Sequence, residues 1–185
     1  MSDPEFLPNL IKQFRYYKAL GEQTFDQVTD EELFWQYNAE SNSIAIIAKH
    51  IAGNALSRWT DFRNTDGEKA WRNRDDEFEM AFTTREEVLA YWEKGWMVLF
   101  SALEPLTNDD LEEIIYIRNQ GHTVIEAIKR QLAHYSYHVG QIVYIGRMLR
   151  GAEWKSLSIP KNGSVAFNKK NSTKKKAEGI LVMRF

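Results

Sequence analysis

The segment from Thr123 to Arg150 constrains the fold more than any other part of the chain. Its polar residues Lys129, Ser136 and Arg147 share one narrow stripe, and most of the remaining circumference is apolar. An amphipathic helix buries one side; a helix apolar nearly all round is buried on more than one. The spacing therefore predicts a long helix at the centre of an all-helical domain, with a further partner such as a second copy of the chain.

Three other segments carry the same periodicity. Phe6, Leu10, Phe14, Tyr17 and Leu20 mark a helix over 3–25, with Pro4 and Pro8 near its start, where proline costs least. Thr29-Asp30-Glu31-Glu32 resembles a capping box opening a short helix through Trp35. Ile44, Ile47, Ile51, Ala55, Trp59 and Phe62 give a second long helix over 43–62. A third follows Thr83-Thr84, runs to Leu103 and stops before Pro105. Between the second and third, residues 63–82 are polar and dense in charge, and read as a long ordered loop. Ile114–Ile117 and Gly121–Val124 can pair as a short ribbon around Asn119-Gln120-Gly121.

The expected organisation is one helical domain over 1–168, including an extension after Gly151 in which Trp154, Leu157, Ile159 and Phe167 pack. A basic, mobile tail over 169–185 follows. With 185 residues, 43% hydrophobic, the chain can build one full core. It has no cysteine, so thiolate metal sites, disulfides and a cysteine nucleophile are excluded. A net charge of −2 does not suit specific nucleic-acid binding. The first residues have no basic patch followed by an apolar run, and no stretch approaches the roughly 20 residues that span a bilayer. A soluble, cytoplasmic protein without membrane partners is expected.

Chemistry concentrates in the histidines. His134 and His138 stand four apart in the long final helix, so their imidazoles lie one turn above the other. The same face continues as Ile142, Ile145 and Leu149, directing both rings inward. His50 falls between Ile46 and Ile47 on its helix and also points inward, with Asn54 beside it. Three neutral imidazoles can hold one face of a divalent ion and leave other positions open to water or substrate. The same residues could equally be core histidines bonded to backbone carbonyls or a tyrosine. His122, just before the final helix, sits near a cap and is the weaker candidate.

Two stretches carry a family resemblance. Residues 43–51, Ser-Ile-Ala-Ile-Ile-Ala-Lys-His-Ile, and residues 131–142, containing His134, His138 and Val139-Gly140-Gln141-Ile142, are similar to the histidine motifs of the DinB/YfiT-like superfamily. Trp71-Arg72-Asn73-Arg74-Asp75 and Leu157-Ser158-Ile159-Pro160-Lys161 resemble one branch of it. The resemblance covers residues 5–150. It implies an up-down-down-up four-helix bundle, a homodimer, and one divalent metal (Zn, Ni, Fe, Co or Mn) on His50, His134 and His138. It also implies either transfer of a low-molecular-weight thiol to electrophiles or metal-dependent hydrolysis of a small-molecule substrate. No acid flanks His50 or lies between His134 and His138, and hydrolysis normally wants a general base beside the water. Thiol S-transfer is therefore the leading expectation, hydrolysis the alternative, and a non-catalytic dimeric metal-binding module the third. Gln141 and Asn54 are candidates to orient a ligand or a water. Tyr137 is a candidate oxyanion donor, with a core role favoured. Arg72 and Arg74 are candidates for a substrate carboxylate or phosphate, or else solvated loop charges.

Overall fold

Four helices begin where the sequence supplies a cap. In the computed structural model, which describes residues 5–79 and 81–169, these are α2 (Asp30–Phe34), α3 (Ile44–Trp59), α4 (Arg85–Leu103) and α5 (Val124–Arg150). Thr29, Thr84 and Thr123 each form a reciprocal capping box, with Glu32, Glu87 and Glu126 respectively. Ser43 caps α3 by accepting from the Ile46 amide. Each such cap is worth about 1 kcal/mol. Only α1 (Phe6–Phe25) starts without a side-chain cap. The expected Asp3 and Pro4 start lies outside the described residues.

Pairwise contacts fix the direction of each long helix. Phe25 near the end of α1 meets Trp92 near the start of α4, while Phe14 meets Trp96 one turn on. Arg85, first residue of α4, donates to the Phe25 and Val28 carbonyls just after α1. These two helices are antiparallel. Gly95 of α4 lies against Ala52 of α3. Arg63, after α3, pairs with Asp110, after α4, at 2.6 Å. These two run in the same direction. Gln131 and Tyr135 of α5 reach Asn54 and the Ile51 carbonyl of α3 in reverse order, so α5 opposes α3. Arg150, last residue of α5, reaches Glu32 beyond the end of α1. The bundle is therefore up-down-down-up, as the family resemblance implies.

Parallel neighbours require a crossover. The chain leaving α3 must climb back about 24 Å, the length of that 16-residue helix, before α4 can start. Residues 60–84 make this return as an ordered loop, with one 3₁₀ turn at Asp75–Phe78. The core between the helices centres on Phe14, Trp92, Trp96 and Tyr135, all fully buried; Phe14, Trp96 and Tyr135 are mutually edge-on and Trp92 is edge-on to Trp96.

Several expectations need correction. Helix α3 stops at Trp59, three residues before Phe62, because Thr60 turns extended and Asp61 takes a left-handed conformation (φ 46°). Phe62 still buries itself against Trp59. The ribbon consists of β1 (Ile114–Ile117) and β2 (Gln120–Thr123), paired antiparallel from Ile114↔Thr123 to Ile117↔Gln120. Its turn is Arg118-Asn119, with φ of 55° and 59°, and not Asn119-Gln120-Gly121. Consecutive left-handed residues match the twist of a two-residue hairpin. On α5, Lys129 and Arg147 are exposed but Ser136 is half-buried, and the solvent face also holds Ala133, Tyr137, Gly140 and Tyr144. Tyr137 is thus no core residue: it is 65% exposed.

The chain divides into two compact units, residues 1–152 and 153 onward. In the second, a turn closes from the Gly163 amide to the Pro160 carbonyl and residues 164–169 are helical. Trp154 and Leu157 are half-buried there, whereas Ile159 and Phe167 remain exposed. Apart from Lys169, the expected basic tail lies outside the described residues. No described helix is long and apolar enough to cross a membrane.

Candidate metal centre

Helices α3 and α5 cross so that their inward histidines meet. One nitrogen from each of His50, His134 and His138 lies within 4.8 Å of the others. His50 Nε2 is 3.1 Å from His134 Nε2. Three nitrogens bound tetrahedrally at zinc distances stand roughly 3.4 Å apart, so the cluster is already near coordinating geometry. His50 is buried; His134 and His138 are half-buried.

The crossover loop sets the orientation of His50. Its ring stacks on Phe78 with centroids 4.6 Å apart. Its Nδ1 donates to Glu77 Oε2 at 2.9 Å. Glu77 in turn accepts two bonds from Arg72, Nε to Oε1 at 2.7 Å and Nη2 to Oε2 at 2.9 Å. Lys49 holds the loop in place by donating to the Asp76 and Glu79 carbonyls. Gly53, one turn beyond His50, leaves the space the carboxylate fills: a Cβ there would stand 2.8 Å from Glu77 Oε1.

This wiring decides the tautomers. Burial pushes the Glu77 carboxyl up, but hydrogen bonds from His50 and Arg72 outweigh it and hold the group below the usual range, ionised. An ionised Glu77 accepts from His50 Nδ1–H, which leaves Nε2 as a lone pair facing the cluster. His138 Nδ1 faces Gln141 Oε1 at 2.7 Å, so its proton is fixed there and its Nε2 is likewise free. Burial, then the neighbouring His138 and His50, push His134 down to about 3. Burial also lowers His138, against the bond from Gln141. With its Nδ1 proton held by Glu77, His50 Nε2 can accept from His134 Nε2–H at 3.1 Å, the position a shared cation would take in place of that proton. The donor set fits a divalent ion.

The sequence candidates differ in where the structure places them. Gln141 contacts His138. Asn54 is buried and accepts from Gln131 Nε2 at 2.8 Å on the wall of a cavity of about 180 Å³ beside His50 and His134. Tyr137 lies beside His138, ring centroids 4.9 Å apart, at the surface. Arg72 differs from expectation: its side chain is 2% exposed and engages Glu77 and Glu68, so it braces the site instead of waiting for substrate. Arg74 is exposed, over the Phe78 ring at the cavity, where a substrate could meet it. His122, on β2, does not join the cluster. Glu77 was not foreseen; the one hint is a charge-dense loop close in sequence to the His50 helix.

The fold of this bundle is similar to that of two solved structures. The chain aligns over 76% of its length with a DinB-like protein from Bacillus cereus, covering 90% of that chain at 17% identity and TM-score 0.58. It aligns over 84% with YfiT from Bacillus subtilis, described as a probable metal-dependent hydrolase with an unusual four-helix bundle topology. That match covers 92% of YfiT at 18% identity and TM-score 0.60. The chain belongs to the DUF1572 family, proteins of unknown function, whose model matches residues 2–163. No curated protein matches it in sequence.

Proposed function

We propose that this chain is a divalent-metal-dependent enzyme acting on a small molecule, with one ion on His50, His134 and His138. The observation that carries the reading is the pair of tautomer locks, Glu77 on His50 and Gln141 on His138, which aim lone pairs at a common point. Bound there, a divalent ion would supply Lewis acidity, lowering the pKa of a thiol or a water. The protein's own groups do the rest. Glu77 and Gln141 keep the imidazoles neutral and aimed, and the cavity beside His50 and His134 receives the reactant. Three protein donors leave positions open, which suits catalysis better than a purely structural site.

Thiol S-transfer to an electrophile remains the leading reaction. Among the described residues no acidic side chain lines the cavity, and Glu77, the carboxylate that touches His50, is committed to His50 and Arg72. A hydrolase would need a base for its water. Hydrolysis is the second reading, favoured by the likeness to YfiT. Homodimerisation is part of the proposal: Ala133, Tyr137, Gly140 and Tyr144 form a solvent-facing, largely apolar stripe on α5.

Elemental analysis of the purified chain and of His138→Ala tests the metal site. The wild type should retain a divalent metal near stoichiometry and the variant should lose it while staying helical by circular dichroism. Equal metal in both refutes the assignment. Turnover of a thiol plus an alkyl halide, measured beside hydrolysis of an ester, separates the two reactions.

A further inference from the structure

The cavity beside the histidines carries a charge excess that the proposed metal chemistry does not use. Five arginines line it: Arg58, Arg72, Arg74, Arg118 and Arg130. Two carboxylates answer them. Glu68 is shared among Arg58, Arg72 and Arg118 at 3.1–3.2 Å. Glu77 serves Arg72. The nearby Asp66 is committed to backbone, accepting from the amides of Glu68, Arg118 and Asn119. Among the described residues, Arg74 and Arg130 have no carboxylate partner. Arg58 Nη1 is buried and, although 3.1 Å from Glu68 Oε2, makes no hydrogen bond. Burial and the neighbouring Arg72 pull Arg58 below its ordinary pKa, with Arg118 and Arg130 adding to the effect and Glu68 opposing it.

A chain of net charge −2 has no global reason to gather guanidiniums around one hollow. Like charges at such range, partly out of water, are costly unless an anion joins them. The hollow, about 180 Å³, has room for a small ligand group and not for a folded partner. Guanidinium donors match carboxylate and phosphate oxygens, often in pairs.

We propose that this cavity is an anion subsite, in which Arg58, Arg74 and Arg130 bind the carboxylate or phosphate group of a small-molecule substrate or co-substrate. The inference deepens the reading of a metal-dependent enzyme, and rests on it only for what happens at the other end of the ligand. An anion held here lies beside His50 and His134, so a reacting group a few bonds away reaches the histidine cluster.

Isothermal titration with inorganic phosphate and with succinate, at fixed ionic strength, tests the subsite. The proteins are the wild type, Arg74→Gln, Arg130→Gln, the double variant, and His138→Ala. At least one anion should bind saturably to the wild type. Each exposed arginine removed should weaken binding by roughly tenfold, as loss of a charge-assisted bond implies. His138→Ala, which removes the metal and not the arginines, should still bind the anion saturably, though more weakly; complete loss of binding in it would overturn the subsite. Preference for phosphate or succinate identifies the ligand group. No saturable binding, or equal binding by the double variant, overturns the subsite. A wild type without metal that still binds the anion in an arginine-dependent way would defeat the metal reading and leave this one standing.

Discussion

Replacing Glu77 by glutamine tests how far the site depends on its loop. The carboxylate is 7% exposed and its Arg72 partner 2%, so the pair is shielded from solvent. The ionised side chain accepts one bond from His50 and two from Arg72. Glutamine has nearly the same shape but only one acceptor oxygen. If that oxygen faces His50, the amide NH₂ opposes the Arg72 donors; flipped, it opposes His50 Nδ1–H. Either way a buried donor is left unmet. Breaking a buried ion pair by removing one partner costs about 3–5 kcal/mol. Glu68 still accepts from Arg72 Nη1 at 3.2 Å, so the expected loss is lower, about 2–4 kcal/mol. For a domain of this size that is a fall in Tm of roughly 5–15 °C. Metal affinity should drop by about 10–100-fold, as for other partners that orient a histidine ligand. Differential scanning calorimetry and competition with a chromogenic chelator measure the two. Gly53→Ala should move both quantities the same way, because its Cβ would intrude to 2.8 Å from Glu77 Oε1. A Glu77→Gln protein with unchanged Tm and unchanged metal affinity would show that Glu77 does not set the His50 ring.

Two glycines make a matched pair for the packing. Gly95→Ala would put a Cβ 2.6 Å from Ala52 Cα, forcing α3 and α4 apart, and should cost about 1–3 kcal/mol or more in urea denaturation. Gly140→Ala meets nothing within 4 Å and should stabilise the single chain by about 0.5–1 kcal/mol; the opposite order would contradict the α3–α4 contact. Stability of the chelator-treated protein should fall with pH. His134 is pushed from 6.5 to about 3, so below 6.5 the unfolded chain takes up a proton that the folded chain refuses. Asp110, lowered to about 2 by hydrogen bonds from Thr107 and Arg63, and Glu77, also lowered, extend the loss into the acid range. Thermal unfolding at a series of pH values should show Tm decreasing continuously on acidification from neutrality; a flat or rising Tm between neutrality and mild acid would contradict a buried, neutral His134.

What the sequence revealed depended on whether the signal was periodic. The helices were legible because apolar spacing and capping boxes are local. The histidine trio was legible because i, i+4 spacing and projection onto an apolar face need only helix geometry. Glu77 was not, because it comes from an irregular crossover. Within Asp75-Asp76-Glu77, nothing local says which acid turns inward; the fold decides, and Asp75 and Asp76 remain exposed. The bracing position of Arg72 is hidden for the same reason, since a loop arginine ordinarily stays solvated. A core role is the favoured sequence reading for Tyr137, beside an oxyanion-donor role, yet the bundle leaves one face of α5 uncovered. In the hairpin, Gly121 drew the turn toward itself, but Asp66 accepts the Arg118 and Asn119 amides at 2.8 and 2.7 Å and stabilises the turn there.

The parallel run of α3 and α4 links these observations. It obliges the chain to cross the bundle between them, and that crossing passes the side of α3 that carries His50. The loop delivers Phe78 and Glu77 to the ring, Arg72 to Glu77, and Arg74 to the cavity mouth. It then follows from linkage that anything binding the oriented histidines also stabilises the loop that orients them. Adding a divalent metal should slow amide hydrogen exchange over residues 72–79 as well as at the centre of α5. The α1–α4 interface near Phe14 and Trp96 contacts neither loop nor cluster directly and should respond less. Slowing confined to the α5 histidines, with the crossover loop unchanged, would mean that the loop is a passive cover and that ligand orientation comes from the helices alone.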